Sequence, residues 1–420
     1  MPSCSLCAAA RRRPLIWVCM LAVAAFAVAG CGKTSSDPSS TSGSGGSTST
    51  IAAASVSTSS GCGAVPTLAV HDQSGVLAGL APTYASQYNG YATPIFKSAW
   101  ANFKPKGKPP YTIGLAFTQP INSFQAAMIP MLEKELRAVN GVGNVILLSA
   151  PPTGLTTELQ QANSLIQQHV AVLVIEPIVP QAFIPIAARA AQAGIPTISV
   201  LTSTPTPTSI NIAPNSVADG AESGARLAQL IGGKGLVLGV HGIPSTNLDQ
   251  QEFDGFRAAF AKCTGIKLDD SIVGAFQPAV AKQQLLNYLA SHPQPIAGVV
   301  QAAAMGPGII QAFQQAGRPL PAMIDVGSTV GDLAFWNAHQ DKLAAALTIT
   351  PNGIAQAGAY TVSQLLSGHG PKVSELSAPS LQIASSHLSQ LVKRGTSVND
   401  EAAVQAPWLP ISYLAPLFNK

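Results

Sequence analysis

Tyr111-Thr-Ile-Gly-Leu-Ala-Phe-Thr118, a break at Gln119-Pro120-Ile121-Asn122, then Ser123-Phe-Gln-Ala-Ala-Met-Ile-Pro-Met-Leu-Glu-Lys-Glu-Leu-Arg137: the fold is decided in this stretch. The first part is short, apolar and β-rich and follows Pro109-Pro110, so it reads as a buried strand with a punctuated start. The second begins at an N-cap, Asn122 or Ser123, and carries Met128, Leu132 and Leu136 at four-residue steps, the pattern of an amphipathic helix. In a parallel sheet, ligands collect where the carboxyl end of a strand meets the next helix. Thr118 to Gln125 is therefore the first candidate site.

The same alternation continues outward. Strand patterns at 144–149, 170–175 and 195–201 alternate with helix patterns at 155–168 and 181–193. A Pro/Thr-rich passage at 202–208 and Asn211-Ile-Ala-Pro-Asn215 interrupt the pattern before a helix over 217–231. Strands over 235–240, 266–273, 297–301, 322–326 and 342–349 then alternate with helices over 250–262, 280–291, 308–316 and 332–339. A second interruption at Thr350-Pro-Asn-Gly353 leads into a helix over 354–366, and a third falls near 371–377. Repeated β-α units predict an α/β fold of doubly wound parallel sheets with helices on both faces. The interruptions read as crossings between two lobes. The first lobe is expected over 109–213 with 351–373, the second over 214–350 with 374–395, and a tail over 396–420.

Several phrases add a specific resemblance. Tyr111-Thr-Ile-Gly-Leu-Ala116 with Asn122-Ser-Phe124, Val172-Leu-Val-Ile-Glu-Pro177, Ala193-Gly-Ile-Pro-Thr-Ile198, Asp254-Gly-Phe-Arg-Ala-Ala-Phe260 and Gln311-Ala-Phe-Gln-Gln-Ala-Gly317 resemble the ribose-type (type I) periplasmic sugar-binding proteins. The resemblance covers about 110–390. It implies two lobes joined by three hinge crossings, a small sugar-like ligand between them, an ABC transporter permease as partner, no cofactor and no catalysis. Where that family carries Asp-Arg after its fourth strand, this chain has Leu201-Thr202. Gln250 stands in place of an arginine, Ala302-Ala303 in place of Asn-Asp, and Asp325-Val-Gly-Ser328 in place of Gly-Phe-Asp-Gly. Most of the charged groups that fork onto sugar hydroxyls are replaced, which widens the field to less polar or modified sugars and nucleoside-like or quorum-type molecules.

Upstream, Arg11-Arg12-Arg13 precede an apolar run from Leu15 to Val28 and then Ala29-Gly30-Cys31. A basic head, an apolar stretch and small residues describe a secretory leader over 1–30. Val28-Ala-Gly-Cys31 resembles the bacterial lipobox, which would make Cys31 a lipidated first residue; an uncleaved membrane helix is the plainer alternative. Loss of the leader removes three arginines and no acids, lowering the formal charge from +4 to +1. Residues 31–61 are nearly all Ser, Thr, Gly and Ala, too polar to fold, and read as a tether. An extracytoplasmic protein held to the membrane only by lipid follows. Three of the six cysteines leave with the leader and Cys31 would carry lipid, so Cys62 and Cys263 remain as an even pair for a disulfide. The aromatic-rich extension over 62–108 is expected to pack outside a lobe, with a short helix over 94–103.

With 10% charged residues, no nucleic-acid partner is expected, and nothing calls for an oligomer. The candidate ligand residues are Thr118, Gln119, Asn122 and Phe124 at the first loop and Glu176 at the end of a strand. From the second lobe come Asn247, Gln250, Gln301, Asp325 and Trp336. For each a plainer role exists: helix capping for Asn122, packing for Phe124, a solvated loop for Glu176 and core for Trp336. No His-Glu-x-x-His is present, and His241, Ser245 and Asp249 lack a nucleophile elbow. Gly232-Gly-Lys-Gly235 lacks the Ser or Thr of a phosphate loop and reads as a helix stop. A tethered sensor and, more remotely, an extracytoplasmic hydrolase are the rival readings.

Overall fold

The computed structural model describes residues 61–339, 343–377, 381–383, 388–405 and 408–420. The leader, Cys31 and the tether up to residue 60 lie outside the described residues. From the extension the chain runs through α1 (Pro82–Ala85), β1 (Tyr111–Thr118), α2 (Ser123–Ala138), β2 (Val142–Ala150), α3 (Leu155–Gln167), β3 (Val172–Ile175), α4 (Ile184–Ala193), β4 (Thr197–Val200) and β5 (Ser209–Ile212). It continues with α5 (Ser216–Leu230), β6 (Lys234–His241), α6 (Asn247–Phe260), β7 (Gly265–Val273), α7 (Pro278–Ser291), β8 (Gly298–Gln301), α8 (Gly306–Gln315), β9 (Ala322–Val326), α9 (Val330–Ala338) and β10 (Leu343–Thr348). It ends with α10 (Pro351–Leu366), β11 (Glu375–Leu376), β12 (Leu381–Ile383), α11 (Leu388–Leu391) and α12 (Ile411–Leu414).

These strands form two six-stranded sheets, in the orders β11-β5-β4-β3-β1-β2 and β12-β10-β9-β8-β6-β7. All pairings are parallel except that of β10 with β12. The interior strands β3, β4, β5 and β8 are buried along their whole length, as a sheet covered on both faces requires. On the first sheet, Met128, Leu132 and Leu136 of α2 pack with Ile354, Val362 and Leu365 of α10. Leu165 of α3 and Ile186 of α4 belong to the opposite face. On the second, Leu227 of α5 and Phe253 and Phe256 of α6 fill one face; Leu285, Ile309, Phe313 and Leu333 from α7, α8 and α9 fill the other. The α/β two-lobe fold read from the sequence is thus the one observed. Helices α5 and α6 approach closely: a Cβ at Gly220 would lie 2.1 Å from the Glu252 carbonyl oxygen, and one at Gly255 2.2 Å from that of Val217.

Three details differ from expectation. Ser209–Ile212, expected as part of an interruption, is a buried strand beside β4. It sits between Pro207 and Pro214, and its Ser209 and Asn211 break the apolar run that marks the equally short β3. Glu375–Leu376 pairs with Asn211–Ile212, so the first lobe runs past the expected boundary at 373. No helix forms over 94–103; turns closed by Ala101 N–H to Ser98 O and Phe103 N–H to Trp100 O stand there instead.

Both ends of the described chain link the lobes beyond the hinge crossings. Cys62 is bonded to Cys263 of the second lobe, with Cα atoms 4.8 Å apart. The extension then passes Asn215, whose side-chain amide donates to the Gln87 and Asn89 carbonyls. Next, Tyr88 donates its hydroxyl to the Glu375 carbonyl (2.7 Å) and Tyr91 to Glu375 Oε2 (2.8 Å). Trp100 finally enters the first lobe's core. At the other end, Val330 and Gly331 at the start of α9 donate to the Ala402 and Asp400 carbonyls, and the Ser123 hydroxyl at the start of α2 donates to the Glu401 carbonyl. Trp408, Leu409, Leu414, Leu417 and Phe418 then bury themselves in the first lobe.

Candidate functional site

The carboxyl ends of both sheets face one cleft of about 170 Å³. From the first lobe it is lined by Thr118, Ile121, Asn122, Phe124, Gln125, Pro152, Glu176 and Leu201, among others. The second lobe supplies Ile243, Thr246, Leu248, Phe276, Ala303, Ala304 and Gly327, and Ile349 stands at a crossing. Local sequence explains this convergence. Asn122 caps α2 by accepting the Gln125 N–H (3.0 Å), and Thr246 caps α6 by accepting the Asp249 N–H (3.4 Å). Each cap ends a strand-to-helix loop at the cleft.

Several loop residues are held in the left-handed region without being glycine. Leu201 has φ 64°, Ala275 55°, Phe276 56°, Ala303 83° and Ala304 61°. Such backbone costs roughly 1–3 kcal/mol per residue and tends to gather at functional sites. All but Ala275 line the cleft. Leu201 and Ala303 are also positions where the ribose-type pattern carries charge. The walls there are apolar.

Among the described residues lining the cleft, Glu176 is the sole ionisable side chain. It is 7% exposed at the end of β3. Its Oε1 accepts from Gln125 Nε2 at 2.7 Å, and Gln125 Oε1 accepts the Ile121 N–H at 2.9 Å, so one amide ties α2, its preceding loop and β3 together. Oε2 has no partner. Burial pushes the carboxyl up to about 7, against the opposing pull of the Gln125 amide. Behind it on α3 lies Glu158, fully buried. Burial, with the nearby Glu176 adding to it, raises Glu158 to about 8, while the Ile178 backbone works in the other direction.

Of the residues expected at the site, Thr118, Asn122, Phe124 and Glu176 line the cleft. The others do not. Gln119 is exposed and donates its N–H to the Ala150 carbonyl. Asn247 faces a small adjoining recess with Ser203 and Pro214. Gln250 is exposed and donates to the Pro244 carbonyl. Gln301 is buried, its Oε1 accepting the Met305 N–H at 2.8 Å. Asp325 is buried beside Asp332, and burial with that neighbour's repulsion raises it well above the usual carboxylate range. Trp336 is 2% exposed in the second lobe's core, the plainer of its two readings. His241 has Nδ1 2.7 Å from Asp249 Oδ2 and Nε2 3.8 Å from Asp270 Oδ2, so both ring nitrogens face carboxylates. Sequence reasoning held Gln125 within its first candidate stretch without naming it as a ligand residue, and missed Thr246 and Phe276. The rule that selected Thr118 to Gln125 would have reached the last two, since Thr246 caps a helix after β6 and Phe276 falls between β7 and Pro278.

A family model described as a periplasmic binding protein domain matches residues 113–370. Among curated proteins, a xylitol-binding protein of Mycolicibacterium smegmatis is 30% identical over 166 residues, which is 39% of this chain and 48% of that protein. The match therefore spans about half the length of that relative. An ABC transporter solute binding protein from Thermobispora bispora superposes with a TM-score of 0.65 at 21% identity, over 73% of this chain and 94% of its own. A solute binding protein from Bacillus halodurans with bound myo-inositol gives 0.60 at 16%, over 68% and 98%. One from Actinobacillus succinogenes with bound D-allose gives 0.60 at 20%, over 67% and 100%.

Proposed function

The chain belongs to the periplasmic binding protein family, and from that premise we propose that it captures a small sugar-like solute between its lobes and hands it to an ABC transporter permease. One observation carries the reading: a single cleft is lined from both sides, by Phe124 and Glu176 of one lobe and Phe276 and Thr246 of the other. A solute touching both walls favours the closed arrangement by its differential affinity for closed over open. Binding without turnover is part of this reading, supported by the binding-protein family to which the chain belongs. The sugar and polyol ligands named for the xylitol-binding relative and the superposed proteins support the solute class. In this reading Cys31 carries lipid and the tether of about 30 residues gives a reach of roughly 30 Å from the membrane.

The test is a thermal-shift screen of sugars and alditols followed by small-angle scattering on the hits. A true ligand at 100 times its Kd stabilises by about 2.7 kcal/mol, and the radius of gyration falls as the lobes close. Scattering curves unchanged by every stabilising compound would refute capture between lobes.

A further inference from the structure

Resting on that reading, we propose that the solute carries a protonated amine on its sugar-like body and that Glu176 is the group that selects it. The argument begins with charge. Among the described residues lining the cleft there is no lysine, arginine or histidine, and Glu176 stands alone with Oε2 unpartnered. Its neighbours from each packed element are Gln125 on α2, a neutral amide, and Glu158 on α3, a second acid. Nothing in the wall supplies the counter-charge that a buried carboxylate needs.

A neutral polyol leaves that deficit as it was, and an anionic solute deepens it. An ammonium group removes it, forming a charge-assisted hydrogen bond to a carboxylate that is itself 7% exposed. The helix N-termini at the cleft do not reverse this preference. Asn122 and Thr246 already occupy a first-turn N–H of α2 and α6, and a helix end carries about half a charge. The apolar remainder of the lining, with Phe124 on one side and Phe276 on the other, suits the C–H faces of a sugar ring or carbon chain. Gln125 is the positioning residue: it fixes Oε1 and leaves Oε2 as the acceptor.

The test uses matched solutes differing only in charge: xylitol, 1-amino-1-deoxyxylitol and xylonate, and D-glucose, D-glucosamine and D-gluconate. Affinities are measured by calorimetry on the full chain. At least one amino member is expected to bind about tenfold or more tighter than its neutral parent, with the acids weakest. Glu176→Gln should abolish the amino preference while the variant keeps its wild-type melting temperature at pH 6. Because amine binding needs the carboxylate of a group held up to about 7, the affinity for 1-amino-1-deoxyxylitol, whose amine stays protonated across this range, should fall about tenfold from pH 8 to pH 6. Neutral parents that match or exceed every amino member, or an amino preference that survives Glu176→Gln, would overturn the proposal. In that case lobe closure on the neutral sugar still stands, so the two readings fail separately.

Discussion

Replacing Glu158 by glutamine should make the protein more stable at alkaline pH and leave it nearly unchanged in acid. Glu158 is 0% exposed on the first turn of α3, and burial lifts its carboxyl from 4.5 to about 8. Below about pH 4.5 the folded and unfolded chains both hold the proton. Between about 4.5 and 8 the unfolded chain gives it up while the folded chain keeps it, so stability falls as pH rises. Above about 8 the folded chain also ionises, and the whole cost of a buried carboxylate with no cation among the groups acting on it is present. At 1.36 kcal/mol per pKa unit, the ceiling on the change between pH 5 and 8.5 is about 4 kcal/mol. Local relaxation brings the expected value to about 2 kcal/mol. Glutamine fills the same volume and does not titrate. Glu176, Glu252 and Asp325 are also raised, but they are common to both proteins and largely cancel in the comparison. Urea unfolding of wild type and variant at pH 5 and 8.5 measures the difference directly. A stability gap that is the same at both pH values would refute the assignment of Glu158 as a buried acid ionising only at cost.

Trp408 is 4% exposed in the first lobe's core, where its Cβ region lies against Gly353, so Trp408→Ala should cost about 3–5 kcal/mol and lower the melting temperature by several degrees. Cys62 and Cys263 are 201 residues apart in sequence, so a Cys62→Ser, Cys263→Ser double variant should lose about 2–5 kcal/mol in urea unfolding. Adding reductant should bring the wild type down to that level and leave the variant where it is.

Most of the fold was legible because the chain punctuates itself. In Ala193-Gly194-Ile-Pro196 a glycine ends one helix, taking the left-handed conformation after α4, and a proline stands just before the next strand. What escaped was polar or very short: β5 reads Ser-Ile-Asn-Ile between prolines, unlike the apolar four-residue β3, and β11 and β12 have two and three residues and pair with longer neighbours. At the site, Thr118, Asn122, Phe124 and Glu176 could be found since they sit immediately beside strand and helix ends. Gln301 and Asp325 occupy similar places in the chain, yet their side chains are buried in the second lobe, while Trp336 lies within α9 and packs in that lobe's core. Sequence does not reveal which way a residue at a strand end faces. Leu201 and Ala303 line the cleft through a positive φ, which no propensity scale assigns to leucine or alanine. Gln125 fell within the first candidate stretch, but its role was not legible there because it depends on Glu176, 51 residues away.

The two linking segments leave the described chain beginning on one lobe and finishing on the other. Cys62 is fastened to the second lobe by its bond to Cys263, while Asn419 is held on the first by its N–H to the Gly370 carbonyl and its side-chain amide to the Ala101 carbonyl. Any change in the angle between the halves is therefore written into the separation of positions near 62 and 419. A fluorescent pair attached there would report solute uptake by energy transfer, with no probe placed near the binding loops.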